Sequence, residues 1–191
     1  MLALSTWLLA SCAATTTTDV TDQWRDPQFH GKFAKVLVIS MAEEASIRQS
    51  FENTMTAKLR KQGIEAVASS DIIPLDQKID RKTVKAAMAG KGFDTVLVSR
   101  LIGIDTSSDY VPPSPAQDFD SFYSHAYAMV YSPGYLARRT VVSVRINVYE
   151  TRHGRLIWSM TSQTFNHSNV ADVIQSLSST ITRELGQQGL L

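Results

Sequence analysis

Lys35-Val36-Leu37-Val38-Ile39-Ser40 carries an unbroken apolar run between two polar residues. Such a run suits a strand buried on both faces, and a strand of that kind needs helices packed against it. The next segment supplies one. Ile47, Phe51, Met55 and Leu59 recur every four residues and predict a helix over about 43–62 with one apolar stripe. Glu43 and Glu44 lie at its positive end, Arg60 and Lys61 at its negative end, and Gly63 stops it. A short strand over 64–68 follows, then a helix capped by Asp80 with Val84, Ala87 and Met88 inward, then a strand over 93–101. This β-α-β-α-β order implies parallel strands joined by right-handed crossovers.

The second half has a different pattern. Val142, Val144, Ile146 and Val148 alternate with Ser143, Arg145, Asn147 and Tyr149, so this strand has one core face and one wet face. Thr151-Arg152-His153-Gly154 turns the chain, and residues 155–165 pair back with Trp158 near their middle. A last helix over about 169–187 presents Val170, Val173, Ile174, Leu177, Ile181 and Leu185 on one face. The predicted fold is a single α/β domain over 32–191: a mixed sheet of about five strands, three main helices and an antiparallel C-terminal hairpin.

Residues 103–137 resemble neither half. Asp105, Asp109, Asp118 and Asp120, with no Lys or Arg, give this stretch a charge of −4, so the rest of the chain carries +5 against a total of +1. It holds Tyr110, Phe119, Phe122, Tyr123, Tyr127, Tyr131 and Tyr135, together with Pro112, Pro113, Pro115 and Pro133. A loop of this length inside a compact domain is usually functional or disordered, and disordered segments are poor in aromatics. Tyrosine rings give large contact area at low entropic cost. These seven aromatic residues are therefore the candidate partner-binding set, with packing onto their own sheet as the equal alternative.

At the amino end, residues 1–11 are apolar and uncharged, too few to span a bilayer. They lead into Leu9-Ala10-Ser11-Cys12, which matches the lipobox of bacterial lipoproteins. That likeness implies cleavage before Cys12 and acylation of its thiol, with residues 12–31 as lipidated terminus and tether. The run Ala13-Ala14-Thr15-Thr16-Thr17-Thr18 is a poor helix former, as a tether requires. The segment departs from a full leader in one respect: no Lys or Arg precedes Cys12. Ala13 stands where an Asp would favour inner-membrane retention, which implies the outer membrane, facing the periplasm.

Composition removes other classes. Nineteen basic against eighteen acidic residues leave no excess for neutralising phosphates, so no nucleic-acid partner is expected. One cysteine excludes an intrachain disulfide framework and a multi-cysteine metal site. His30, His125, His153 and His167 form no ligand-spaced pair, and Gly90-Lys91-Gly92 lacks the phosphate-loop frame. No Gly-x-Ser-x-Gly elbow occurs, and Asp118 and Asp120 read as solvated acids. No enzyme activity, cofactor or metal is expected.

Tyr110-Val111-Pro112-Pro113, Val130-Tyr131-Ser132-Pro133-Gly134-Tyr135, Val148-Tyr149-Glu150 and Gly154-Arg155-Leu156-Ile157-Trp158-Ser159 resemble the motifs of a family of uncharacterised bacterial lipoproteins. Its members carry a Tyr/Gly/Pro-rich insert ahead of a strand pair that ends in a Gly-Lys-Leu-Val-Trp-like motif. More distantly, the element order is similar to the amino-terminal domain of TolB, to CsgG and to the lipoprotein activators of penicillin-binding proteins. The resemblance implies an envelope protein that binds partners, with no catalytic residue to carry over. The leading expectation is a lipid-anchored periplasmic scaffold that meets an envelope protein, or itself, through 103–137. The alternatives are a small-ligand or envelope-polymer binder, or cryptic hydrolase, with the insert as lid, and a subunit of a secretion or pore assembly.

Overall fold

The computed structural model describes residues 16–111 and 135–191. In chain order the elements are β1 (Thr17–Arg25), β2 (Lys35–Met41), α1 (Ala45–Lys61), β3 (Glu65–Ala68), a 3-10 turn (Ser69–Asp71), α2 (Arg81–Met88), β4 (Thr95–Val111), β5 (Tyr135–Glu150), β6 (Leu156–Phe165) and α3 (Val170–Gln187). They build one mixed α/β domain on a six-stranded sheet of order β1-β6-β5-β4-β2-β3. β3, β2 and β4 are parallel, as the crossover argument requires, while β4, β5, β6 and β1 pair antiparallel.

The sixth strand is the difference from the sequence reading. Residues 17–25, assigned there to the tether, form β1 and pair with β6 from Thr17↔Phe165 to Arg25↔Trp158. Threonine is a poor helix former for the same reason that it is a good strand former: its branched β-carbon fits a pleated surface. Thr18 is buried, and its hydroxyl lies 2.8 Å from those of both Thr164 and Ser176. A flexible-tether reading of the Thr run considers only the first half of that chemistry.

The two helices α1 and α3 cover one face of the sheet. Phe51, Met55 and Leu59 meet Ile174, Leu177, Ile181 and Leu185 over Val36, Val38, Leu97, Ile146, Val148 and Trp158. Side chains of this kind contribute about 1.5–3 kcal/mol each on full burial. On the opposite face, Val84 and Met88 of α2 pack on Leu37, Ile39, Phe93 and Val96, together with Ile72 and Ile79 from the loop before it. Local signals fix the ends: Asp80 accepts from the Thr83 amide at 2.8 Å and Asn169 from the Asp172 amide at 3.0 Å. Gly63 leaves α1 with φ +83°, a conformation that a side chain disfavours.

Two strands run farther than the sequence pattern predicts. β4 continues past Leu101 to Val111, and β5 begins at Tyr135 rather than Val142. Part of the 103–137 segment is thus a regular two-stranded ribbon. Alternation fails as a guide there because residues 104–108 are all exposed, so neither set of alternate positions is buried.

Candidate functional site

The strands set which end of the sheet matters. β2 ends at Met41, opposite Arg100 of β4, and β6 supports β5 only as far as Val142↔Thr164. Beyond those rungs, among the described residues, β4 and β5 pair only with each other, through Thr106↔Thr140 to Val111↔Tyr135. From Asp105 to Val111 this ribbon extends about 20 Å at ~3.3 Å per residue. Both outer edges present unpaired backbone groups among the described residues, and an edge of that sort is a template for another strand.

The foot of the ribbon is irregular and apolar. The register shifts between Leu101 and Gly103, leaving Ile102 as an extra residue that bends and twists the strand. Leu101, Ile102 and Ile104 are 49%, 42% and 59% exposed, and Met41 beside them is 49% exposed. Arg100 and Arg145 stand opposite each other, and neither has a carboxylate partner among the described residues. Arg145 turns sideways and donates from Nε to Thr161 Oγ1 at 3.3 Å.

The seven aromatic candidates divide. Tyr110 and Tyr135 fall at the far end of the ribbon, on the rungs Tyr110↔Leu136 and Val111↔Tyr135. Phe119, Phe122, Tyr123, Tyr127 and Tyr131, and the lipidation candidate Cys12, lie outside the described residues. The ribbon nevertheless brings the two ends of the aromatic segment together on one stalk.

Sequence reasoning missed a buried ionic cluster beside that stalk. Glu52 is fully buried on α1 and its Oε1 accepts from the Ser40 amide at 2.9 Å, from Ser69 Oγ at 2.6 Å and from Arg48 Nε at 3.3 Å. Its Oε2 accepts from the Ser70 amide at 2.7 Å, while Arg48 Nη2 reaches Ser69 Oγ and the Ile73 carbonyl. Both carboxylate oxygens are engaged, so the cluster clips the ends of β2 and β3 to α1. The available signal was the i,i+4 spacing of Arg48 and Glu52, one position off the apolar stripe.

A cleft of about 720 Å³ opens at the other end of the sheet, lined by Lys32, Phe93, Asp94, Glu150, His153 and Arg155 among others. Its acids are already committed. Asp94 accepts from the amides of Ala34 and Lys35, and Glu150 pairs with His153 at 2.7 Å and Arg155 at 3.6 Å. Among the described residues no group of three or more His, Cys, Asp or Glu is placed to hold a metal. Trp158, fully buried, is core.

No family model matches the chain, and no curated protein matches its sequence. The resemblance drawn from its motifs therefore stays a resemblance. Among solved structures, a single-substitution variant of the PelC dodecamer from Paraburkholderia phytofirmans is similar, at 16% identity over 88% of this chain and 96% of that one, with a TM-score of 0.50. The PelC dodecamer in another crystal form gives 15%, 87%, 94% and 0.48. Lipoprotein GNA1162 from Neisseria meningitidis gives 15%, 81%, 99% and 0.46. At these identities the likeness is one of fold.

Proposed function

We propose that this chain is a non-catalytic binding or scaffold protein of the cell envelope, fastened by acyl chains on Cys12 to the outer membrane and facing the periplasm. It meets an envelope protein, or a second copy of itself, along the β4–β5 ribbon and the aromatic segment that the ribbon carries. One observation carries the reading. A two-stranded ribbon that has no third strand among the described residues is at best marginally stable in water by itself, so its edges call for a partner.

A second reading shares that observation. PelC is described as a dodecamer, and free β4 and β5 edges would let the ribbon of one copy pair with that of the next in a secretion or pore assembly. Sedimentation velocity across a wide concentration range separates the two. A monomer at all concentrations removes the ring and leaves the heterologous partner.

The test of the leading reading is substitution of Tyr123, Tyr127 and Tyr131 by Ala in the full chain. Co-purification of partners from membranes, or self-association, should weaken while the circular dichroism spectrum is unchanged. Unaltered crosslinking and sedimentation profiles would remove the ribbon and its aromatic segment as the interface. Separately, labelling with a palmitate analogue should disappear in Cys12→Ala, and persistence of the label overturns the anchor.

A further inference from the structure

The side of the sheet turned away from α1 and α3 is polar over β5, β6 and β1. Ile146, Val148 and Met160 point into the core beneath those helices, so Arg145, Asn147, Thr161 and Gln163 point the other way. On β1, Thr18 reaches Ser176 and Gln23 reaches Glu184, both on α3. Asp19, Asp22 and Trp24 therefore share the far side with Arg145. The apolar cluster beneath α2 draws its sheet residues from β2, β3 and β4. Over β5, β6 and β1 this side carries no apolar cluster among the described residues.

Register sets these side chains in rows centred on β6. Asp22 pairs with Thr161 and Thr161 with Arg145, so acid and guanidinium flank Thr161 one strand to each side. In the next row Trp24 and Asn147 flank Ser159, and in the row before it Asp19 and Ser143 flank Gln163. Two strand spacings hold the Asp22 and Arg145 backbones about 10 Å apart. Neither residue has a salt-bridge partner among the described residues. Arg100 follows Arg145 in the same row, on β4. Acid thus lies along β1 and base along β5 and β4, with a neutral strand between them.

We propose that this side of the sheet binds a second copy of the chain, face to face, about a two-fold axis lying along β6. A half-turn about that line keeps every row at its own height and exchanges the strands on either side. It lays Asp22 of each copy over Arg145 of the other, and Trp24, 44% exposed, over Asn147. Ser159, Thr161 and Gln163 meet their own counterparts near the axis, and each both donates and accepts. A two-fold contact needs a surface that matches itself, and charges of opposite sign placed evenly about the middle strand satisfy that need. A ligand of one sign would instead be repelled at one flank, which disfavours an acidic or a basic polymer here. Packed sheets keep their strands within about 30° of each other, so rows close to the axis stay in register. In this arrangement α2, on β2, lies outside the other copy's β1 edge and does not obstruct. Both ribbons leave the pair at the same end, beyond the rows that meet, so this contact goes beyond the ribbon reading and does not depend on it.

Charge exchange tests the pairing. Exposed ion pairs are individually weak, so the dimer dissociates on dilution. Sedimentation velocity of the full chain should show one copy moving toward two as concentration rises, and added salt should reverse the shift. Asp22→Arg sets guanidinium groups against each other at both flanks, and Arg145→Glu does the same with carboxylates; both positions are exposed. Each variant, with an unchanged circular dichroism spectrum, should associate roughly tenfold or more weakly, because facing like charges repel. An equal mixture of the two variants should regain the native association, since every facing pair is then again of opposite sign. A native chain that stays monomeric at every concentration would overturn the inference. So would association that ignores salt, or that either variant keeps unchanged, which would place the contact elsewhere, as on the ribbon. A mixture that associates no better than its two parts would overturn it as well.

Discussion

Ser69 Oγ donates to Glu52 Oε1 across 2.6 Å, joining the residue that follows β3 to the buried flank of α1. The same oxygen takes the amide of Ser40 at the end of β2. Glu52→Ala would leave Arg48, 4% exposed at its side chain, without its countercharge. Loss of one partner of a buried pair costs about 3–5 kcal/mol. Urea unfolding should show a drop of that size, and Glu52→Gln, which keeps one acceptor, a smaller one. A change below ~1 kcal/mol in the alanine variant would mean that the clip is not structural.

Arg100 and Arg145 oppose each other across β4 and β5. Like charges on facing positions destabilise a sheet, and opposite charges stabilise it by roughly 0.2–1 kcal/mol. Arg145→Glu should therefore raise the melting temperature slightly at low salt, and the gain should shrink as salt is added. A lower melting temperature would mean that a group outside the described residues already balances the two guanidinium groups.

Asp80 caps α2, and the bonds from the Thr83 amide and hydroxyl hold its carboxyl below the usual value of 3.8. A lowered folded-state pKa means that the charged cap stabilises the fold above the unfolded value. That contribution is lost as pH falls through the folded one. Urea midpoints should decline as pH drops from about 5 toward 3, and Asp80→Asn, which keeps an uncharged acceptor, should decline less. Equal slopes for the two proteins would show that the cap charge is irrelevant.

Thr18 shares its hydroxyl between Thr164 and Ser176. Thr18→Val keeps shape and strand propensity but strands the buried Thr164 hydroxyl, at a cost of about 1–3 kcal/mol. Hydrogen exchange should show the β1 amides bonded to β6 protected in the native chain and distinctly faster in the variant. Unprotected native amides would return residues 17–25 to a tether.

The legible part of this molecule is the part whose side chains alternate or recur against a core. β2, α1, the Asp80 and Asn169 caps, and α3 with Ile174, Leu177 and Ile181 all follow from period and propensity. Residues 104–108 were not legible as a strand because all five are exposed, so no buried face imposes alternation on them. Glu52 was hidden for the opposite reason: a carboxylate beside Phe51 looks like the wet flank of an amphipathic helix until the loop after β3 folds over it.

The pairing of β1 with β6 also sets an order of events. Thr18 and Thr164 are 146 residues apart in sequence yet touch, so the first strand to leave the ribosome or the export channel has no mate until β6 has followed it. Contacts between such distant segments close late, because the loop they seal carries the largest entropic penalty. On the proposed acylation of Cys12, the processing enzymes would act before β1 has its mate, and docking of β1 would come afterwards.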